Sequence, residues 1–223
     1  MVKIHTIPLG IVNLYLLQGE KSVLIDAGIP GQVKSFLRGL EKTGVKPGDI
    51  SLVIITHGHM DHTGIAKEIV KITGAKLAVH QRDREALETG KSPIPPGTTV
   101  FGKVLSALGQ LMPEISVPPA RADIIMGDDG LSLDRFGIPG RIVYTPGHTL
   151  GSVSVLLESG EAFVGDLAMS ARFMRRKPGP PIFAEDIKLV LQSWRVLLDS
   201  GVQIIYPAHG RPFSREVFEA YVS

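Results

Sequence analysis

The sequence predicts an α/β protein made of two related halves packed face to face, with a helical insertion around residues 90–120. Three observations carry that prediction. One order of elements occurs twice: a hairpin, an aspartate, a helix, a buried strand and a histidine. The 223 residues are 43% hydrophobic and 21% charged, which supplies a core without any disulfide or metal staple. Between the halves, six of the sixteen prolines fall from Pro93 to Pro119, around one apolar helical segment.

Taken in order, residues 11–17 and 22–25 are apolar, β-branched runs around Gln18-Gly19-Glu20-Lys21, the pattern of a hairpin. Asp26-Ala27-Gly28 ends it. Residues 33–43 show helical spacing through Val33, Phe36, Leu37 and Leu40 and stop near Gly44. Leu52-Val53-Ile54-Ile55 is a short continuous apolar run, as a buried strand has, and it delivers the chain to Thr56-His57. A helix is expected over 63–73 and a strand over 76–80.

In the second half, residues 141–144 form a strand, and 153–157 and 162–164 flank Glu158-Ser159-Gly160-Glu161 as another hairpin. Gly165-Asp166 ends that hairpin. Residues 187–198 have helical spacing through Val190, Leu191, Trp194, Leu197 and Leu198. Residues 202–206 form a buried strand that delivers the chain to Ala208-His209. Any α/β chain yields such coincidences; aspartates and histidines at matching places favour a repeat.

Inside the insertion, Val100, Phe101, Val104, Leu105, Leu108, Leu111 and Met112 make an apolar helical face. Such a face predicts a helix docked on the body, with a lid or a subunit contact as the alternatives. It could support a homodimer.

Composition excludes several classes of function. The balance of 24 basic against 22 acidic residues gives +2, too little to argue for a nucleic-acid or membrane partner. The absence of cysteine removes disulfides, iron–sulfur clusters, thiolate zinc sites and a cysteine nucleophile. The N-terminal residues lack the pattern of a signal peptide, and no run approaches the roughly 18 apolar residues of a membrane helix. A cytoplasmic protein with a small-molecule substrate is the expectation.

The strongest local signal is Thr56-His57-Gly58-His59-Met60-Asp61-His62. Three of the seven histidines sit within six residues, beside an aspartate. Buried without partners, such groups would be costly; a cation satisfies them all. His57 and His59, two apart just past a strand, point the same way in extended chain, and Gly58 permits a tight turn. Asp61 and His62, at the entrance of the following helix, point to a second location. His148, in Thr145-Pro146-Gly147-His148-Thr149, and His209, in Ala208-His209-Gly210, follow strands in like fashion, as does Asp166. Together these five histidines and two aspartates make a set for two metals.

These residues resemble the metallo-β-lactamase superfamily of metal-dependent hydrolases. The match comprises LIDAG at 24–28, THGHMDHTG at 56–64, TPGHTLGS at 145–152, VGD at 164–166 and AHG at 208–210, in family order. The resemblance implies a single domain over 1–223, folded as a four-layer αββα sandwich. It implies one metal held by His57, His59 and His148, a second held by Asp61, His62 and His209, and Asp166 bridging them. Asp26 matches the strand-end aspartate that supports such a site, since a ligating imidazole donates its other N–H to a carboxylate or carbonyl. His5 and His80 match no ligand position and are expected to be structural or solvated.

Two cations lower the pKa of a shared water toward neutrality, giving a hydroxide nucleophile for a carbonyl or phosphorus centre. Asp61 could orient that hydroxide and take its proton. With nitrogen and oxygen ligands, zinc is the default for both ions; iron and manganese also fit. Asp166 argues against antibiotic lactamases of the family, Met169 against its acyl-homoserine lactonases, and His59 against its flavo-diiron members. What remains resembles the glyoxalase II-like group, hydrolases of thioester, ester or lactone bonds. The helical domain of glyoxalase II proper is not expected, since the chain ends 14 residues after His209. A mononuclear iron sulfur dioxygenase and a phosphodiesterase or nuclease are the alternatives. Arg172, Arg175, Arg176 and Lys177 past Asp166, with Arg211 past His209, suit an anionic substrate or a solvated basic loop.

Overall fold

The computed structural model describes residues 2–92, 94–111 and 116–222. Two six-stranded sheets face each other. The first holds β1 (Lys3–Leu9), β2 (Val12–Gln18), β3 (Ser22–Ile25), β4 (Ile50–Ile54), β5 (Lys76–His80) and β6 (Ile124–Met126), hydrogen-bonded in that order. The second holds β7 (Leu131–Ser132), β8 (Gly140–Tyr144), β9 (Val153–Leu157), β10 (Glu161–Phe163), β11 (Ile204–Tyr206) and β12 (Phe213–Ser214), likewise adjacent in order. The helices are α1 (Val33–Glu41), α2 (Met60–Thr63), α3 (Ala66–Thr73), α4 (Arg84–Thr89), α5 (Val100–Gln110), α6 (Ile187–Asp199) and α7 (Glu216–Val222).

Side-chain alternation sorts the layers. On β3 and β4, Val23, Ile25, Leu52 and Ile54 point into the space between the sheets, where Val153, Val155, Leu157 and Phe163 meet them. Their neighbours Leu24 and Val53 point outward, onto Phe36 and Leu40 of α1 and Ala66 and Ile69 of α3. On the far side, Leu156, Ala162 and Ile205 pack on Val190, Trp194 and Leu197 of α6 and on Phe218 of α7. The result is the expected four-layer αββα sandwich.

The repeat is present in the topology. β2 and β3 pair antiparallel, α1 crosses over, and β4 returns parallel to β3. β9 and β10 pair antiparallel, α6 crosses over, and β11 returns parallel to β10. Each hairpin is followed within three residues by an aspartate and each returning strand by a histidine. Hence Asp26, His57, Asp166 and His209 all gather at one end of the sandwich.

Two expectations are corrected. The helix expected over 63–73 is two pieces. The amides of Gly64 and Ile65 donate to the carbonyls of Gly28 and Ala27, at 2.8 and 3.1 Å, instead of to the preceding turn. A Cβ at Gly64 would come within 2.4 Å of the Pro30 nitrogen, so only glycine allows this approach. Asp61 and His62 therefore lie within the short α2. The second correction concerns α5. Its apolar face points outward: Val100, Val104, Leu108 and Leu111 are exposed, at 82, 54, 57 and 83%. The helix rests on the body through its small residues. Gly102 packs on the Ile182 carbonyl, and Ser106 donates to the Pro95 carbonyl at 2.9 Å. Met112 of the expected face lies outside the described residues.

Candidate metal centre

The first cluster joins the two sheets. His57 and His59 follow β4, and His148 follows β8. His148 Nε2 lies 3.1 Å from His57 Nε2 and 2.9 Å from His59 Nδ1. The outer nitrogen of His148 fixes which proton it carries: Nδ1–H donates to the Phe183 carbonyl at 2.8 Å, so Nε2 presents a lone pair to the centre. Burial, and then the neighbouring imidazoles, push His57 well below the usual histidine range. Burial, with His148 beside it, pushes His59 down to about 3. Burial also lowers His148. Three neutral imidazoles thus converge, and no arrangement of protons satisfies all three nitrogens.

The second cluster comprises Asp61, His62, Asp166 and His209. Their ligand-type atoms all lie within 4.8 Å of one another. His209 Nε2 is 3.1 Å from Asp61 Oδ2 and 3.4 Å from Asp166 Oδ1. His62 Nε2 is 3.8 Å from Asp61 Oδ2 and 3.4 Å from Asp166 Oδ1. Both rings are oriented from outside. His62 Nδ1 bonds Asp26 Oδ2 at 2.8 Å, and His209 Nδ1 donates to the Ile11 carbonyl at 2.8 Å. Asp166 faces both clusters, its Oδ1 toward His62 and His209 and its Oδ2 3.7 Å from His148 Nε2.

The charges here are opposed. Burial lowers His62, but Asp26, Asp61 and Asp166 outweigh it and hold the imidazole well above its usual range. Burial lowers His209, but Asp166 and Asp61 raise it to about 9. Burial would raise Asp61 and Asp166; for Asp61, His62 and His209 hold it far below the carboxylate range, and for Asp166, His209 and His62 bring it to about 2.

Do these residues fit a metal? His62 Nε2 and Asp166 Oδ1 are buried without a hydrogen-bond partner. Atoms so placed are costly unless something else satisfies them. Ring nitrogens and carboxylate oxygens turned inward, with their outer sides held by other partners, are what a cation needs. The cluster is able to hold metal ions.

Asp26 supports this arrangement as expected. It is the only non-glycine residue with positive φ among the described residues, at +66°. That conformation, which aspartate tolerates better than most residues, turns its carboxylate back under the motif. Oδ1 accepts the Thr56 amide at 2.8 Å while Oδ2 holds His62.

The remaining candidates separate. His5 bonds Gln18 Oε1 at 2.9 Å on β1, away from the site. His80 is buried, stacked on Tyr144 and bonded to Asp128 Oδ1 at 3.1 Å, a structural residue. In the basic loop, Arg175 is spent on the loop and on α7: Nη1 donates to the Pro180 carbonyl at 2.6 Å and Nη2 to the Tyr221 hydroxyl at 3.4 Å. Arg172, Arg176 and Lys177 are exposed. Their loop meets that of Arg211, where the Arg211 amide donates to Ser170 Oγ at 2.7 Å and Ser170 N to the His209 carbonyl at 2.9 Å. One residue escaped sequence reasoning. Asp83 is buried and accepts from the Gly58 amide and the Thr149 hydroxyl. A lone aspartate before a helix reads as a cap.

The profile of the Metallo-beta-lactamase superfamily matches residues 7–209, nearly the whole chain and every residue of both clusters. The chain belongs to that superfamily. It is similar to a probable metallo-hydrolase of Methanocaldococcus jannaschii, 27% identical over 208 residues, covering 92% of this chain and 91% of the relative. A probable metallo-hydrolase of Bacillus subtilis is also 27% identical, over 235 residues, covering 97% and 87% of the two chains. Among solved structures, an archaeal metallo-beta-lactamase superfamily protein from Sulfolobus tokodaii superposes with a TM-score of 0.68 at 25% identity, covering 98% of this chain and 84% of that one. Among the described residues, no helix of this superfamily member is long and apolar enough to cross a membrane.

Proposed function

We propose that the chain is a single-domain, dinuclear metal-dependent hydrolase of the glyoxalase II-like kind, acting on a thioester, ester or lactone bond of a small anionic molecule. The observation that carries this reading is Asp166, whose two oxygens face two adjacent ligand clusters. His57, His59 and His148 would hold one ion and Asp61, His62 and His209 the other, with Asp166 shared. When bound, the ions, zinc by default, supply Lewis acidity and acidify water toward neutral pH.

The chain's own residues do the rest. Phe183, Asp26 and Ile11 fix the outer nitrogens of His148, His62 and His209, so the inner nitrogens already face the centre. Asp61 is the most open ligand carboxylate, with a side chain 23% exposed against 6% for Asp166. Its carboxylate is the one that solvent reaches, and it is the group to accept a proton from an attacking water. The partly exposed Asp61 leaves the second cluster open to water on one side, as catalytic sites require and closed structural sites do not. The exposed cations of the joined loops, Arg172, Arg176, Lys177 and Arg211, suit an anionic group on the substrate. The exposed face of α5 is proposed as the contact of a homodimer, since monomers rarely expose so continuous an apolar surface.

The test is metal analysis followed by a panel of thioesters, esters, lactones and bis(p-nitrophenyl) phosphate with the metal-loaded protein. Turnover of a carbonyl substrate, lost in Asp166→Ala, is the expected result. Phosphodiester cleavage alone, or one iron per chain with oxygen uptake on a persulfide, contradicts it.

A further inference from the structure

Asp83 stands outside both clusters, at the end of the β5 edge of the site, and its side chain is unusually placed. It is the residue before α4, the position from which an aspartate ordinarily accepts an amide of its own helix. Asp83 makes no such bond. Its Oδ2 instead accepts the Gly58 amide at 2.8 Å and the Thr149 hydroxyl at 2.7 Å. Because the carboxylate only accepts, the Thr149 hydroxyl donates to it. That hydroxyl therefore takes its second bond, 2.9 Å from Ser152 Oγ, as an acceptor, while Ser152 Oγ accepts the Thr149 amide at 3.0 Å. The proton order is fixed throughout.

The two residues held by this oxygen are informative. Gly58 lies between His57 and His59. Thr149 follows His148. One buried oxygen atom thus ties the loop of the first sheet to the loop of the second, and between them these loops carry all three imidazoles of the first cluster. The surroundings are cut to fit. A Cβ on Gly151 would stand 2.5 Å from Asp83 Oδ1, and one on Gly58 would stand 2.7 Å from Ala86 Cβ. Only glycine at both places lets the loops close on Asp83. Asp83 makes no contact of this kind with the second cluster, whose His62 is oriented by Asp26.

We propose that Asp83 is a positioning residue for the three-histidine ion site alone, setting the spacing of His57 and His59 against His148. This rests on the metal reading given above. Asp26 and Asp83 then divide the labour, one for each cluster.

The test is a titration of the metal-free protein with cobalt(II), followed by calorimetry and by the visible absorption of the bound ion. Wild type is expected to show two binding events, one of which His59→Ala removes. Asp83→Ala is expected to weaken that same event by roughly 10- to 100-fold and leave the other unchanged. Asp83→Asn, whose amide oxygen still accepts both bonds, is expected to restore it. Thr149→Ala removes one of the two contacts without touching Asp83, and is expected to weaken the same event if Asp83→Ala does not fold. Two events in Asp83→Ala within about twofold of wild type, or equal weakening of both, overturn the role of Asp83 and leave the metal reading intact. Wild type that takes up no cobalt overturns the metal reading, and the role of Asp83 with it.

Discussion

Asp26 Oδ2 lies 2.8 Å from His62 Nδ1, with both side chains shut off from solvent. The pair decides which nitrogen of His62 faces the second cluster, and the same carboxylate receives the Thr56 amide through its other oxygen. Removing it strands a buried amide and a buried imidazole together. Asp26→Ala is expected to lose about 3 kcal/mol of stability. Urea unfolding of the metal-free variant against metal-free wild type measures this; a change below about 1 kcal/mol would show that the pair is dispensable.

Metal uptake is expected to release protons. With no ion bound, His62 and His209 are raised above their usual range, His209 to about 9, so both are protonated at pH 7. A ligating imidazole must be neutral. Affinity at the second cluster therefore rises with pH from 7 toward 9. At the first cluster, His59 at about 3 is already neutral at pH 7 and releases nothing. Calorimetry in buffers of different ionisation enthalpy reads the proton count, and heats that do not depend on the buffer contradict this account.

Acid is expected to weaken the metal-free fold. His59 has a folded pKa of about 3 against 6.5 unfolded, so below pH 6.5 the unfolded chain binds the extra proton. Its contribution is present above pH 6.5 and is lost as pH falls toward 3. His209 has the opposite sign: raised to about 9, it contributes fully below 6.5 and loses its contribution as pH rises through 9. Stability against pH for wild type and His59→Gln checks this. The fall between pH 6.5 and 4 should be shallower in the variant.

The arginines of the basic loop should behave differently. Arg172, exposed beside the joined loops, should on replacement by alanine raise KM for an anionic substrate several-fold with kcat little changed. Arg175 is held in its own loop by Pro180 and Tyr221, so Arg175→Ala should loosen the loop and move both parameters. Steady-state kinetics separates them. A KM effect confined to Arg175 would reject the division.

Trp194 stacks on Phe218 at 4.0 Å and its indole N–H donates to the Leu167 carbonyl at 3.0 Å, one residue past Asp166. Trp194→Phe keeps most of the volume and removes the donor. About 1–2 kcal/mol of stability should be lost. Denaturant unfolding checks it, and no change would mean that the Leu167 carbonyl finds water instead.

Much of the fold was legible because its strands alternate or run apolar between glycine-marked turns. Residues 22–25, 76–80 and 153–157 emerge as read. The ligand set was legible because histidine and aspartate are crowded where a core tolerates neither. Other features resist such reading for physical reasons. For α5, periodicity reports which side is apolar but not which side docks, and Gly102 and Ser106 allow a close backbone approach on the other side. The break at Gly64 leaves the spacing of Ala66, Ile69 and Thr73 undisturbed, and shows only in which carbonyls its amides choose. Asp83 acts across 25 residues to Gly58 and 66 to Thr149, and no local pattern marks such a partner.

Metal stoichiometry tests the central claim most directly. Purified protein, stripped and then reloaded with zinc, should hold two ions per chain by elemental analysis, and Asp166→Ala should lower the affinity for both. One ion per chain, unaffected by Asp166→Ala, or none at all, would contradict a shared two-ion site.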